Sequence, residues 1–154
     1  GGGDALSADV LYAFPFAISE TNTFDRFRFQ VQATGTATAA RVGIYNLADG
    51  IPTSLVADLG TADVSGTGAK EVTISQALDR GVYAVCIVAN GTLSVYGYVG
   101  ADANLAQHVT GLAAMGTGGG GGFTGAHTYA ALPSTYPSSS VQNTINASIH
   151  LRSA

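Results

Sequence analysis

Between Phe24 and Ala33 apolar and polar residues alternate, with Phe27, Phe29, Val31 and Ala33 in one phase and Arg26, Arg28, Gln30 and Gln32 in the other. Such a period of two marks a strand with one dry and one wet face, because successive side chains leave a pleated backbone on opposite sides. A strand of this kind needs neighbours for its backbone groups and a second layer for its dry face. The rest of the chain offers both. Arg41–Asn46 alternates again and ends at Asp49-Gly50-Ile51-Pro52, where Asp-Gly ahead of Pro is turn chemistry. Ser54–Leu59 reads as a short strand, Ser65-Gly66-Thr67-Gly68 as a loop, and Lys70–Ile74 as a strand with Val72 and Ile74 inward.

Asp79-Arg80-Gly81 turns the chain into Val82–Ala89, which is apolar in both phases, as a central strand beneath a second layer must be. Asn90-Gly91 predicts a two-residue turn of the primed type, with Leu93–Val99 as the return strand of a hairpin. Near the end, Ile145, Ala147, Ile149 and Leu151 alternate with Asn146, Ser148 and His150, so Ser138–Leu151 predicts a last strand that closes a sheet. Short strands at spacings of roughly ten residues, with Gly, Asp or Asn at the joins, predict an all-β, jelly-roll-like antiparallel β-sandwich.

The single stretch with helical potential, Asn104–Met115, is short, carries Thr110 and Gly111, and ends in the glycines that run to Gly122. Gly118–Gly122 lacks the following helix and Lys of a phosphate-binding loop, so it reads as a surface loop. At 154 residues the chain suits one domain. We expect residues 1–9, opening on Gly1-Gly2-Gly3, to be a glycine-rich linker or hinge, and residues 10–154 to be one sandwich with a Gly-rich loop at 116–125. A first residue other than Met, with Met115 the sole methionine, reads as the rear part of a longer or processed polypeptide.

Charge is scarce: 10% of residues are ionised and the formal net charge is −4. A nucleic-acid partner is not expected, because Arg26, Arg28, Arg41, Lys70, Arg80 and Arg152 are scattered in sequence and phosphate binding needs them massed. So little charge also predicts an oligomer, in which neighbouring chains cover part of the surface. Membrane insertion is not expected, as no apolar run approaches the roughly 20 residues a spanning helix needs.

Catalytic chemistry finds no foothold in the motifs. Cys86 lies inside the apolar run Val82–Val88 and reads as a small buried hydrophobe. His108, His127 and His150 are far apart, with no paired spacing to grip a metal, and Asp25, Asp49, Asp58, Asp63, Asp79 and Asp102 fall near strand ends where Asp bonds its own backbone. Neither a nucleophile elbow nor a Walker loop is present. No enzyme, metal or cofactor is expected. What remains are aromatic rings in hydroxyl-rich surroundings, Tyr45, Tyr96, Tyr98, Tyr129 and Tyr136. Tyr96 and Tyr98 share one face of a strand and form the leading pair for stacking on a sugar, with Tyr45, Asn46, Asp102 and Asn104 as company; the same rings would also serve a sheet face or a subunit contact.

Several phrases carry a resemblance: Leu11-Tyr12-Ala13-Phe14-Pro15-Phe16, Thr23-Phe24-Asp25-Arg26, Arg41-Val42-Gly43-Ile44-Tyr45 with Asp49-Gly50-Ile51-Pro52, Val72-Thr73-Ile74-Ser75, Gly81-Val82-Tyr83, Leu132-Pro133-Ser134-Thr135-Tyr136-Pro137 and Ile149-His150-Leu151-Arg152. Together they resemble a jelly-roll module common in bacteriophage tail-fibre and spike proteins. The resemblance implies a virion-surface location, a homotrimer in contact with other virion proteins, and binding of bacterial surface polysaccharide. The chain has no Trp, which such modules often carry in the strand after Gly81, so no sugar platform is carried over to Tyr83–Ile87. The alternatives are a purely structural decoration or baseplate module and a carbohydrate-binding module appended to a bacterial enzyme.

Overall fold

The computed structural model describes residues 3–97, 122–137, 140–142, 145 and 147–154. Its strands are β1 (Gly3–Leu6), β2 (Val10–Ile18), β3 (Asn22–Thr34), β4 (Ala39–Ala48), β5 (Ile51–Asp63), β6 (Gly68–Leu78), β7 (Gly81–Ala89), β8 (Leu93–Tyr96), β9 (Gly122–Ala126), β10 (Ser140–Gln142) and β11 (Ile149–Ser153). They form two antiparallel sheets. The five-stranded sheet is built on β3, which has β6 along one edge; β8 beside Val31–Thr34 and β11 beside Phe24–Phe29 share the other, and β1 adds outside β8. The six-stranded sheet runs β10-β9-β2-β7-β4-β5. From β1 to β8 every connection except β4 to β5 crosses from one sheet to the other, which is jelly-roll winding. The all-β sandwich expected from the alternation is the fold observed.

The main core lies between the sheets, where Phe24, Phe27, Phe29 and Val31 of β3 face Phe14, Val42, Ile44, Val85 and Ile87 of the other sheet. Each such side chain contributes about 1.5–3 kcal/mol by leaving water. Phe24 and Phe27 are both buried although three positions apart, because the register shifts between Phe24 and Arg26 and again opposite Arg152/Ser153. Ala33, expected on the dry face, is exposed, because a second shift between Val31 and Ala33 reverses the phase.

β7 is central, and its two phases enter two cores. Val85, Ile87 and Ala89 join the inter-sheet core, while Ala84, Cys86 and Val88 join Leu11, Ala13, Tyr45 and Phe123 on the outer face. That outer face is covered by residues 127–137, a strap whose Leu132 and Tyr136 pack into the second core. The strap is tied along its length. The His127 N–H donates to the Asp9 carbonyl (3.1 Å), the Tyr129 N–H to the Asp9 carboxylate (2.8 Å) and the Leu132 N–H to the Asp58 carboxylate (3.0 Å). Farther on, the Leu55 N–H donates to the Ser134 carbonyl (2.9 Å) and the Tyr136 N–H to the Thr53 carbonyl (2.7 Å). Gly43 lies beneath it, where an added methyl group would collide with Leu132 and stand 2.7 Å from the Ala57 carbonyl oxygen. The second layer demanded by an all-apolar β7 is therefore the opposite sheet on one side and this strap on the other.

Four local expectations are corrected. Asn90-Gly91 does not close a hairpin: β7 and β8 belong to different sheets, and neither residue has a positive φ. The primed turn is Asp49-Gly50, with φ of 52° and 79°, which sets Ala48 opposite Ile51. Residues 3–6 are not hinge but β1, whose Leu6 is buried in the core. Gly122–Ala126, expected at the end of a glycine-rich loop, form β9 beside β2. The closing strand is two strands, β10 on the six-stranded sheet and β11 on the five-stranded one. The stretch 104–115 lies outside the described residues.

Candidate functional site

The two sheets differ in what covers them. The six-stranded sheet has the inter-sheet core on one side and the strap on the other, whereas the wet face of the five-stranded sheet carries no second layer among the described residues. On that face the alternation of β3 sets out Arg26, Arg28 and Gln30, that of β6 sets out Glu71 and Thr73, and that of β11 sets out His150 and Arg152. Asp25 joins them because the bulge leaves both it and Arg26 between two inward phenylalanines.

Register then makes the contacts. Arg28 stands opposite Glu71 on β6 and donates to both of its carboxylate oxygens, from Nε and Nη2, at 2.9 Å each. Arg152 stands opposite Arg26 on β11, and two arginines so placed repel. Asp25 relieves this by accepting from Nε of Arg152 at 2.8 Å and from its Nη2 as well. Arg26 lies between the two carboxylates, 3.8 Å from Asp25 and 3.9 Å from Glu71, and donates from Nη1 to the Asp25 carbonyl at 2.8 Å. The paired hydrogen bond from Arg152 holds the Asp25 carboxyl below its ordinary pKa, and that from Arg28 does the same for Glu71; Arg28 and Arg152 are raised by the same bonds. Three of the chain's six basic residues and two of its ten acidic ones are thus gathered in one network on this face. Two-pronged pairing fixes the planes of these side chains, so the face presents donors and acceptors in a set geometry.

The residues expected to bind are only partly gathered here. Tyr96 alternates with buried Leu93 and Val95 and lies half-buried at the end of β8, in the phase of Ser94. Tyr98, Asp102 and Asn104 lie outside the described residues. Tyr45 is fully buried: its ring meets Tyr136 edge-on at 5.2 Å, its hydroxyl donates to the Pro133 carbonyl at 2.7 Å, and burial pushes its pKa up. It is a core residue and offers no exposed ring, because the strap lies over it. Tyr136 is likewise internal, donating to the Leu11 carbonyl at 2.6 Å. Asn46 lies on the other sheet, opposite Tyr83, and donates to the Ser54 hydroxyl at 2.9 Å.

Asp25, Glu71 and Arg152 were not expected to form a site. The alternation of Arg26 and Arg28 was visible in the sequence, but their partners depend on the registers of β6 and β11. Among the described residues no group of three His, Cys, Asp or Glu side chains is placed to hold a metal. Comparison with profiles of known protein families, with characterised proteins and with solved structures finds no match to this chain.

Proposed function

We propose that this domain is a non-catalytic binding module whose uncovered sheet face takes a host-cell glycan, displayed as a homotrimer on a virion surface at the end of a tail fibre or head spike. One observation carries the binding part. Five of the chain's sixteen charged residues form one paired network on the sheet face that, among the described residues, lacks a covering layer, with Tyr96 on the same sheet. Fixed carboxylates and guanidiniums suit sugar hydroxyls, which both donate and accept, and a tyrosine ring suits the apolar face of a pyranose. The virion setting and the trimer rest on the resemblance of the sequence phrases described above.

The test is binding of the whole chain to capsular and lipopolysaccharide sugars, with Tyr96→Ala combined with Arg28→Gln as the variant. We expect the variant to bind about tenfold more weakly, a loss of about 1.4 kcal/mol, with its thermal midpoint nearly unchanged. Failure of the native chain to bind any cell-surface sugar removes the glycan reading. If the variant instead lowers the mass of the oligomer in light scattering, the face is a subunit contact and the domain is structural.

A further inference from the structure

We infer that the uncovered face prefers acidic glycans, with Arg26 as the residue that receives the sugar carboxylate; this rests on the glycan-binding reading above and narrows it to a ligand class.

The argument starts from how the three guanidiniums are occupied. Arg28 and Arg152 are each committed to one carboxylate by two N–H groups. Arg26 is not. Its one hydrogen bond among the described residues is from Nη1 to the Asp25 carbonyl, and the carboxylates of Asp25 and Glu71 stand at 3.8 and 3.9 Å, beyond hydrogen-bond range. A guanidinium carries five N–H donors, so most of those of Arg26 remain available. Its side chain is 31% exposed, at the middle of the sheet, with short Thr73 opposite on β6 and Arg152 opposite on β11.

Charge balance points the same way. The face sets Arg26, Arg28 and Arg152 against Asp25 and Glu71, an excess of one positive charge, whereas the rest of the chain holds three basic and eight acidic residues. The network carries one net positive charge in a chain whose formal net charge is −4. A neutral sugar would use the hydroxyl-binding groups and leave the network with its one excess positive charge. A uronate or sialate carboxylate would balance that charge and match the flat fork of Arg26.

The test pairs each acidic ligand with its neutral twin. Calorimetric titration of the whole chain uses oligogalacturonate and sialyllactose, each beside the same saccharide with its carboxyl reduced to an alcohol, at low and high salt. Native protein is expected to bind the acidic form about tenfold more tightly, with the gap narrowing as salt rises. Arg26→Gln should abolish the gap, so that the acidic form and its neutral twin bind alike, and Arg26→Lys should keep part of it, since a point charge remains without the fork. Equal binding of the twins by native protein, or a gap that survives in Arg26→Gln, overturns the acidic preference and leaves glycan binding standing. Absence of binding to either twin, with no binding to other cell-surface sugars, overturns the preference together with the reading beneath it. Dissociation of the oligomer in both Arg26 variants assigns the face to a second copy of the chain and also overturns it.

Discussion

Asp58, on the edge strand β5, receives Nε of Arg41 on both oxygens (2.9 and 2.8 Å), the N–H of Gly60 (3.2 Å) and the N–H of Leu132 (3.0 Å). From sequence it reads as a turn residue bonding its own backbone, and the Gly60 contact agrees with that. The Leu132 contact does not, since it joins β5 to the strap across 74 positions. Partial burial pushes its carboxyl pKa up, but the bonds from Arg41, Leu132 and Gly60 and the charge of Arg41 outweigh this and leave it lowered. A lowered folded-state pKa means that the anion stabilises the fold fully above the unfolded value of about 3.9 and that this contribution fades as pH falls through the lower folded value. We therefore expect strap protection in hydrogen exchange to weaken on acidification below about pH 4. Asp58→Asn should lose about 1–3 kcal/mol of stability at neutral pH and show a flatter acid limb in denaturation measured against pH. An acid limb identical to that of the native protein would show that Asp58 is not the group responsible.

At the scale of elements, Asn90 shows where local reading fails. Asn-Gly between two apolar runs is a hairpin signal, yet here it carries the chain from one sheet to the other. The Asn90 side chain makes that crossing possible. Its amide oxygen accepts from the N–H groups of Thr38 (2.9 Å) and Ala39 (3.1 Å), its amide nitrogen donates to the Thr38 hydroxyl (2.9 Å), and its backbone N–H donates to the Ala39 carbonyl (3.1 Å). The β3–β4 and β7–β8 crossings are thereby fastened to each other. Asn90→Ala is expected to cost about 1–3 kcal/mol by leaving those donors unmatched, and Asn90→Asp, which keeps the acceptor, should cost less. Urea denaturation of the two variants checks the order, and equal costs would show that the bonds accepted by the Asn90 amide oxygen contribute nothing. The strands were more legible than the turns: β3, β6 and β7 follow from their alternation or from its absence, because side-chain phase is local to a strand. Strand partners are not local, and two residues of turn sequence do not specify which sheet follows.

The whole molecule is a sandwich with a sealed back. Cys86 sits in the second core, fully buried between β7 and the strap, and burial pushes its thiol pKa well up. It is expected to resist a thiol-specific reagent at neutral pH while the protein is folded and to react completely once it is denatured. Because Leu132 and the Cys86 sulfur both approach Gly43, opening of the strap should expose the thiol, and Asp58→Asn should speed its modification. Equal rates in native and variant protein would mean that the thiol becomes accessible through some route other than release of the strap at Leu132. Among the described residues, covering one sheet leaves the outer face of the other without a second layer, and for that reason the proposed site is a face.

Period-two alternation and the positions of Gly, Asp and Pro were enough to establish an all-β chain, the wet and dry phases of β3 from Arg26 to Val31, and the burial of Cys86. These properties depend on residues that are neighbours along one strand. Tertiary structure alone decided that β7 and β8 part company, that residues 127–137 cover Tyr45, and that Arg152 meets Asp25. The last pair is separated by 127 positions, and only the register of β11 on β3 brings it together. Arginines that look scattered in the sequence become one network because sheet registry, which no local pattern encodes, decides which wet-face residues share a row.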